Sequence, residues 1–555
     1  MYKIDLYKVS SHSAGTYDTT ALLRKMVFRI TGEPRSPGNR STGNHPMTTT
    51  IQLNLQLHEF ITAVNNQPKP LIIPLCTELP LMDISPLDVY TNTRAGCGFL
   101  LESMEGSEKL ARYSFIGIDP EFVISLGETV NLRGREPFIS IAREPEGKDP
   151  VEKIKSVLSR FHYMNVKAPR FFGGFVGYFA YDCIYSMFEK VRGGKPASSR
   201  GNHEMPDACF MFTKDCIVID HRDKKLYIFS SPFLTYDTDI EGEYKRCAER
   251  IRALADHVGT LTSRKKPRYA KGSSPSTCAS FTSQVSQDAF ERSVDLVKEH
   301  IVAGDIFQAV LSRRIECRIA NDPFAVYAAL REINPSPYMY YIDFGDEKVI
   351  GASPEMLVRV EKRKVTTVPI AGTRQRGKNP EEDEQFAQDL LDDAKERAEH
   401  TMLVDLARND IGRVCRFGSV EVSEFMTVEK FSHVQHIVST VNGTLRDNLD
   451  CYDAFRSCFP AGTVSGAPKI RAMQIIDEQE LLPRGLYAGA VGYIGFDRNL
   501  DFAIAIRTVI VRDGTAYVQI GAGIVADSVP ASEWTETENK AAAMIRAIER
   551  SGECI

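Results

Sequence analysis

From Ile51 onward the apolar and polar positions of this chain follow two rhythms. Apolar residues recur at helical spacing from about Leu55 to Val64, whereas Leu71 to Cys76 and Phe122 to Ser125 are short apolar runs bounded by turns, which predict strands. FFGGFVGYFAYD, Phe171 to Asp182, is glycine-rich and aromatic, as a tightly packed strand and turn would be. DACFMFTKDCIVIDHRDKKLYIFSS alternates and carries the polar Arg222-Asp223 turn of a hairpin, and a helix over about Tyr244 to His257 closes this half. With few long helices, the first lobe reads as rich in antiparallel sheet.

Gly259 to Ser283 is rich in Ser, Thr, Gly, Pro and Lys, the composition of a connector, so the main boundary falls there. The expected organisation is a lobe over 47–258, a linker over 259–283 and a second lobe over 284–555. Beyond the linker, helices are predicted at Gln287 to Ala303, Glu381 to Asn409 and Glu536 to Ser551. Strand-like runs recur at Phe307 to Ile315, Val434 to Val441, Ala488 to Ile494, Ala503 to Val511 and Ala516 to Ile520. Strands and helices without a repeating βαβ rhythm predict an α+β fold of layered antiparallel sheets flanked by helices. The first 46 residues differ, with seven Lys/Arg against three Asp/Glu and the turn-rich string GEPRSPGNRSTGNHP. They suit a disordered extension, an over-extended start before Met47, or an import segment, which Asp5, Asp18 and Glu33 disfavour.

Composition narrows the partners. The 68 basic and 73 acidic residues are well mixed and leave a net charge of −5, so there is no basic field for nucleic acid and no polybasic membrane patch. A small molecule or another protein is expected instead. Twelve cysteines lie scattered with no Cys-x-x-Cys, which reads as reduced thiols of a cytoplasmic chain.

Two acidic doublets carry candidate chemistry. Glu396 with Glu399, and Glu533 with Glu536, are spaced by three, so each pair lies on one helical face. Two such helices face to face could hold a hard divalent cation among oxygens, although most doublets of this spacing are solvated faces. Two glycine motifs mislead. Gly521-Ala-Gly523 follows the strand-like AYVQI as a dinucleotide fingerprint would, but Pro530 soon interrupts the helix that should follow. AGTVSGAPK has Pro468 before its lysine and Ile470 where a P-loop needs Ser or Thr. Both still offer backbone amides to an anion, and carboxylate capture needs the same chemistry. Alone, Glu355 reads as a turn glutamate, His436 as a core histidine, and Arg507 as a partner for Asp501 or, given the apolar flanks of AIAIRT, as an inward arginine.

PIAGTRQRG (Pro369 to Gly377), KERAEHTMLVDLARNDIGRVC (Lys395 to Cys415), HVQHIVS (His433 to Ser439), FPAGTVSGAPKIRAMQII (Phe459 to Ile476), AGAVGYIG (Ala488 to Gly495), AIAIRT (Ala503 to Thr508) and GAGIVADSVPASEWTETENKA (Gly521 to Ala541) belong together. In this order they resemble the chorismate-utilising enzymes, and closely the anthranilate synthase component I family. The resemblance covers the chain from about Asp288 to its end, and LLES (Leu100 to Ser103) and RYSFIG (Arg112 to Gly117) resemble that family's amino-terminal region. It implies that Glu399 and Glu536 bind Mg²⁺ directly while Glu396 and Glu533 hold its waters. It makes Glu355 the general acid for the departing C4 hydroxyl of chorismate and gives His436 proton handling around pyruvate elimination. Arg507 and Tyr487, the backbone N–H groups of Gly521 and Gly523, and Thr373 and Lys540 would complete the substrate pocket. Such a reaction needs charge neutralisation, a leaving-group acid and a dry pocket.

Two positions separate the family's branches. Relatives that add water use a lysine base where this chain has Gln308, which can orient ammonia but cannot act as that base. Aminodeoxychorismate synthases typically have lysine where Ala371 stands. The implied activity is therefore a lyase making anthranilate and pyruvate from chorismate and ammonia, the first step of tryptophan biosynthesis. The alternatives are aminodeoxychorismate synthase component I, or a non-catalytic amino-acid-binding regulatory subunit of the same fold. The resemblance also implies a tryptophan feedback pocket at Ser103, Pro337, Tyr338 and Met339. No Gly-x-Cys-x-Gly elbow of an amidotransferase surrounds any cysteine, so ammonia must come from elsewhere, and the resemblance implies a separate glutamine amidotransferase subunit as its source.

Overall fold

A computed structural model describes residues 51–104, 112–192, 205–261, 281–431 and 434–551. The extension 1–46, residues 262–280 of the linker and His433 lie outside the described residues. Among the described residues the strands form sheets of twelve, eleven and three, so the α+β expectation of layered sheets and flanking helices holds.

Side-chain alternation explains the layering. In the twelve-stranded sheet Phe99 and Tyr340 face a core that also takes Phe175, Phe210 and Phe502 from the eleven-stranded sheet. Their neighbours Leu100 and Tyr341 turn to the other face and meet Phe60, Tyr244, Phe324 and Met544 from four covering helices. Both large sheets mix strands from before and after residues 262–280. Met339 stands opposite Glu102 in one, and Gly492 opposite Gly177 in the other.

Several elements depart from the pattern for local reasons. The Leu71 to Cys76 run breaks at Pro74, which has no N–H to give a ladder, leaving strands Leu71–Ile72 and Cys76–Pro80 in different sheets. The helix expected over Glu381 to Asn409 is two, Pro380–Asp392 and Ala394–Gly412. Asp393 between them is extended, and its carboxylate accepts the N–H groups of Lys395 and Glu396, capping the second helix. The last helix begins at Pro530, because a proline is tolerated in a first turn whose N–H groups are unpaired anyway. The Ala503 to Val511 run splits into Leu500–Ile504 and Thr508–Arg512, with Arg507 at φ +50°. The strand expected to end at Ile520 continues through both glycines to Ile524.

Candidate active site

Two places where the chain changes sheets create the site. At Pro354 and Glu355 the chain leaves strand Glu347–Ser353 of the twelve-stranded sheet and enters Met356–Glu361 of the eleven-stranded one. At Ala505 to Arg507 it returns, from Leu500–Ile504 to Thr508–Arg512. The crossings are tied by Ile504 N–H donating to Glu355 C=O (3.0 Å) and Ser353 Oγ donating to Ile504 C=O (2.7 Å). Glu355 and Arg507 therefore sit together at the seam. Only 9% of Glu355 is exposed, and burial pushes its carboxyl up to about 8 against the opposing pull of the Thr463 hydroxyl and Arg507. Thr463 Oγ1 donates to Glu355 Oε1 at 3.0 Å.

Arg507 does not pair with Asp501. That carboxylate takes Arg359 Nε at 2.7 Å and the Tyr338 hydroxyl at 2.9 Å. Among the described residues the Arg507 guanidinium has no hydrogen-bonded or salt-bridged partner, and burial lowers its pKa while Glu355 opposes the fall. A half-buried guanidinium without a partner, on a backbone conformation that costs a non-glycine residue about 1–2 kcal/mol, is arranged to receive an anion.

His436 faces the same place from strand Val434–Thr444. Its Nδ1 lies 2.9 Å from the Gly372 carbonyl oxygen and 3.1 Å from Thr373 Oγ1. A carbonyl can only accept, so Nδ1 carries the proton and Nε2 keeps a free lone pair, and burial first of all, with Arg507 adding, favours this neutral form. The Gly372 bulge at φ +70° that brings this carbonyl forward also brings Glu396 near. A Cβ there would meet Glu396 Oε2 at 3.1 Å.

The glycines form an open strand edge. Val310 and Ser312 send their N–H groups to Ser465 C=O and Glu480 Oε1, away from strand Thr515–Ile524. Opposed residues of an antiparallel ladder either exchange both bonds or neither, so Gly523 and Gly521, opposite Val310 and Ser312, turn theirs outward as well. Strand Thr508–Arg512 covers that side only as far as Val518, and the edge beyond is open. Lys540 Nζ already donates to Gly521 C=O there, at 3.1 Å. A Cβ on Gly521 would lie 2.5 Å from the Tyr487 hydroxyl and one on Gly523 2.9 Å from the Gln308 amide, which places both side chains at this edge.

The acidic doublets stand on helices Ala394–Gly412 and Pro530–Ser551. Burial raises the Glu399 carboxyl, and Glu396 and Glu536 raise it further. Glu533 is also raised, mainly by burial, and its buried Oε2 has no partner. Glu396 is met by Arg374 at 3.4 Å and Glu536 by Lys540 at 2.6 Å. Among the described residues no three acidic, histidine or cysteine groups converge on one metal position. The donors are nevertheless all hard carboxylate oxygens that repel one another, one of them orphaned, and such a set fits Mg²⁺ held largely through waters.

The residues expected to hold tryptophan lie around the pairing of strands Gly98–Glu102 and Tyr338–Asp343. Ser103 follows strand Gly98–Glu102, whose Glu102 stands opposite Met339, and Pro337 and Tyr338 immediately precede Met339. Tyr338 packs beside Met356, Val368 and Val438 on the active-site side, while Met339 lies in the helix-covered core. Two contributors escaped the sequence reading. Thr463 stands in a motif read only for its amides, and Arg374 lies in PIAGTRQRG without an assigned part. Lys469 of the rejected P-loop pairs with Asp410 at 2.9 Å.

A seam holding an unpaired guanidinium, a carboxyl protonated at neutral pH, a neutral histidine and an open amide edge defines a site for acid–base chemistry on a small anion. Residues 99–546 match the family of chorismate binding enzymes, and the chain belongs to that family. Anthranilate synthase component 1 of Acetivibrio thermocellus is 47% identical over 498 residues, covering 87% of this chain and 96% of that protein. The protein of the same name from Aquifex aeolicus is 46% identical over 506 residues, covering 90% and 98%. Among solved structures, anthranilate synthase component I from Streptococcus pneumoniae aligns with a TM-score of 0.64 at 37% identity, covering 78% of this chain and 92% of that one. A menaquinone-specific isochorismate synthase from Escherichia coli shares the fold at 17% identity, with a TM-score of 0.62. Within the family, the chain belongs with component 1 of anthranilate synthase.

Proposed function

We propose that this chain converts chorismate and ammonia to anthranilate, pyruvate and water, as the synthase subunit of a tryptophan-pathway enzyme. The observation that carries the proposal is the seam pair. Arg507 offers a partnerless guanidinium to a substrate carboxylate, beside Glu355, which keeps its proton at neutral pH. Tyr487 and the outward amides of Gly521 and Gly523 hold the same end of the substrate. Gln308 orients ammonia toward C2, and Glu355 gives its proton to the departing C4 hydroxyl, which leaves as water. His436 Nε2 then handles the proton released as pyruvate is lost; a positioned acid–base group of this kind is worth about 10²- to 10⁴-fold in rate. Glu399 and Glu536, supported by Glu396 and Glu533, would hold Mg²⁺, which would supply charge neutralisation for the ring carboxylate. Thr373 and Lys540 stay in place through His436 and Gly521.

Three further readings rest on the same kinship. A glutamine amidotransferase subunit supplies the ammonia. Tryptophan inhibits by binding at Ser103, Pro337, Tyr338 and Met339, and Tyr338 offers the route to the site, since it stands opposite Ser353, two residues before Glu355. The ten cysteines described are free thiols, in keeping with a reducing, cytoplasmic setting, and among the described residues no helix is long and apolar enough to cross a membrane. Chorismate, Mg²⁺ and an ammonium salt should yield fluorescent anthranilate with the chain alone. Aminodeoxychorismate in its place would favour the C4-aminating alternative, and no turnover under any ammonia supply would favour the regulatory subunit.

A further inference from the structure

The helix that carries Glu396 and Glu399 is anchored unevenly. Leu403, Val404, Ala407 and Ile411 bury its second half against the core. In the turns before Leu403, where both carboxylates stand, the only buried side chain is His400, which is 0% exposed. Its Nε2 lies 2.6 Å from Ser439 Oγ, a hydroxyl that is itself fully buried. Ser439 is three residues beyond His436 on the same strand, and its N–H is fixed to Pro369 C=O at 3.2 Å, at the head of the PIAGT segment. The same Oγ accepts the N–H of Met426, at 3.0 Å, where the neighbouring strand Glu421–Lys430 bulges with Met426 at φ +53°. One hydroxyl thus ties together the carboxylate helix, the histidine strand and the bulge beside it.

Stability alone does not explain a histidine at this position. Its Nδ1 is buried without a partner, and leucine would bury similar surface with no polar atom of its own to leave unpaired. Histidine adds a directional bond, which fixes the rotation of the helix about its axis where apolar packing does not reach.

We infer that His400 and Ser439 are positioning residues, a buried hydrogen-bonded tie that sets where Glu396 and Glu399 stand relative to His436. The inference rests on the Mg²⁺ reading of the doublets. Its test is Mn²⁺ binding followed by electron paramagnetic resonance, with chorismate present and ammonia withheld, on the whole chain and on Ser439→Ala, His400→Leu and the double variant. Each single variant should keep a cooperative melt and weaken Mn²⁺ about tenfold or more, as loss of a supporting shell around a metal does. The double variant should lose no more than Ser439→Ala alone, because that variant already lacks the His400 bond, along with the acceptor for the Met426 N–H. Should His400→Leu not fold, Ser439→Ala carries the comparison. Wild-type Mn²⁺ affinity in a folded Ser439→Ala chain, or losses that multiply in the double variant, would overturn the tie and leave the metal reading standing. A wild-type chain that binds no Mn²⁺, or a Glu399→Ala chain that binds it normally, would overturn both.

Discussion

Replacing Glu355 by glutamine should separate what the buried acid costs from what it does. In the fold this carboxyl holds its proton up to about 8, against an ordinary value of 4.5. A pKa raised by folding contributes stability that is fully present below 4.5 and lost as pH rises through 8, because the unfolded chain releases a proton that the folded chain keeps. At about 1.4 kcal/mol per pH unit, the gap between the two values amounts to about 5 kcal/mol by pH 9, an upper figure for a site that relaxes. Glutamine does not titrate, and its carbonyl can still accept the Thr463 hydroxyl. The stability of Glu355→Gln over the wild type should therefore grow from near zero at pH 4 to a few kcal/mol at pH 9, and turnover should fall about 10²- to 10⁴-fold. Urea unfolding by circular dichroism at a series of pH values measures the first effect, with the background titrations cancelling in the difference. A difference that is flat with pH, or a glutamine variant less stable at pH 9, would refute the burial argument.

The remaining expectations follow from the same geometry. Thr463→Val removes a bond to the ionised carboxyl, so the alkaline limb of kcat/KM should move to higher pH by about one unit; movement to lower pH would contradict the assignment. Glu399→Ala should abolish Mg²⁺-dependent turnover with the circular dichroism spectrum unchanged, and wild-type activity in that variant would sink the clamp. Saturating tryptophan should suppress anthranilate formation, so an undiminished rate would remove the feedback pocket.

Local pattern made the elements legible, and spacing made the doublets legible. The hairpin at Arg222-Asp223, the Gln287 helix and the strand around His436 lie where period and turn chemistry place them. Seams were not legible, because they depend on which sheet a strand joins. Nothing in AIAIRT announces that the chain changes sheets at Arg507, or that Asp501 is already held by Arg359. The same holds for Thr463, which reaches Glu355 across 108 positions. Asp393 could have been anticipated, since an aspartate three residues before a glutamate is a helix-capping signal, but the long charged run concealed the break.

The central claim is that ammonia replaces the C4 hydroxyl by attack at C2 and that pyruvate is then lost. Incubating the chain with chorismate, Mg²⁺ and ¹⁵N-ammonium, and resolving the products by mass spectrometry, tests it directly. Singly ¹⁵N-labelled anthranilate with an equimolar amount of pyruvate is the expected result. A labelled product that retains the enolpyruvyl group, or an unlabelled isochorismate, would contradict it.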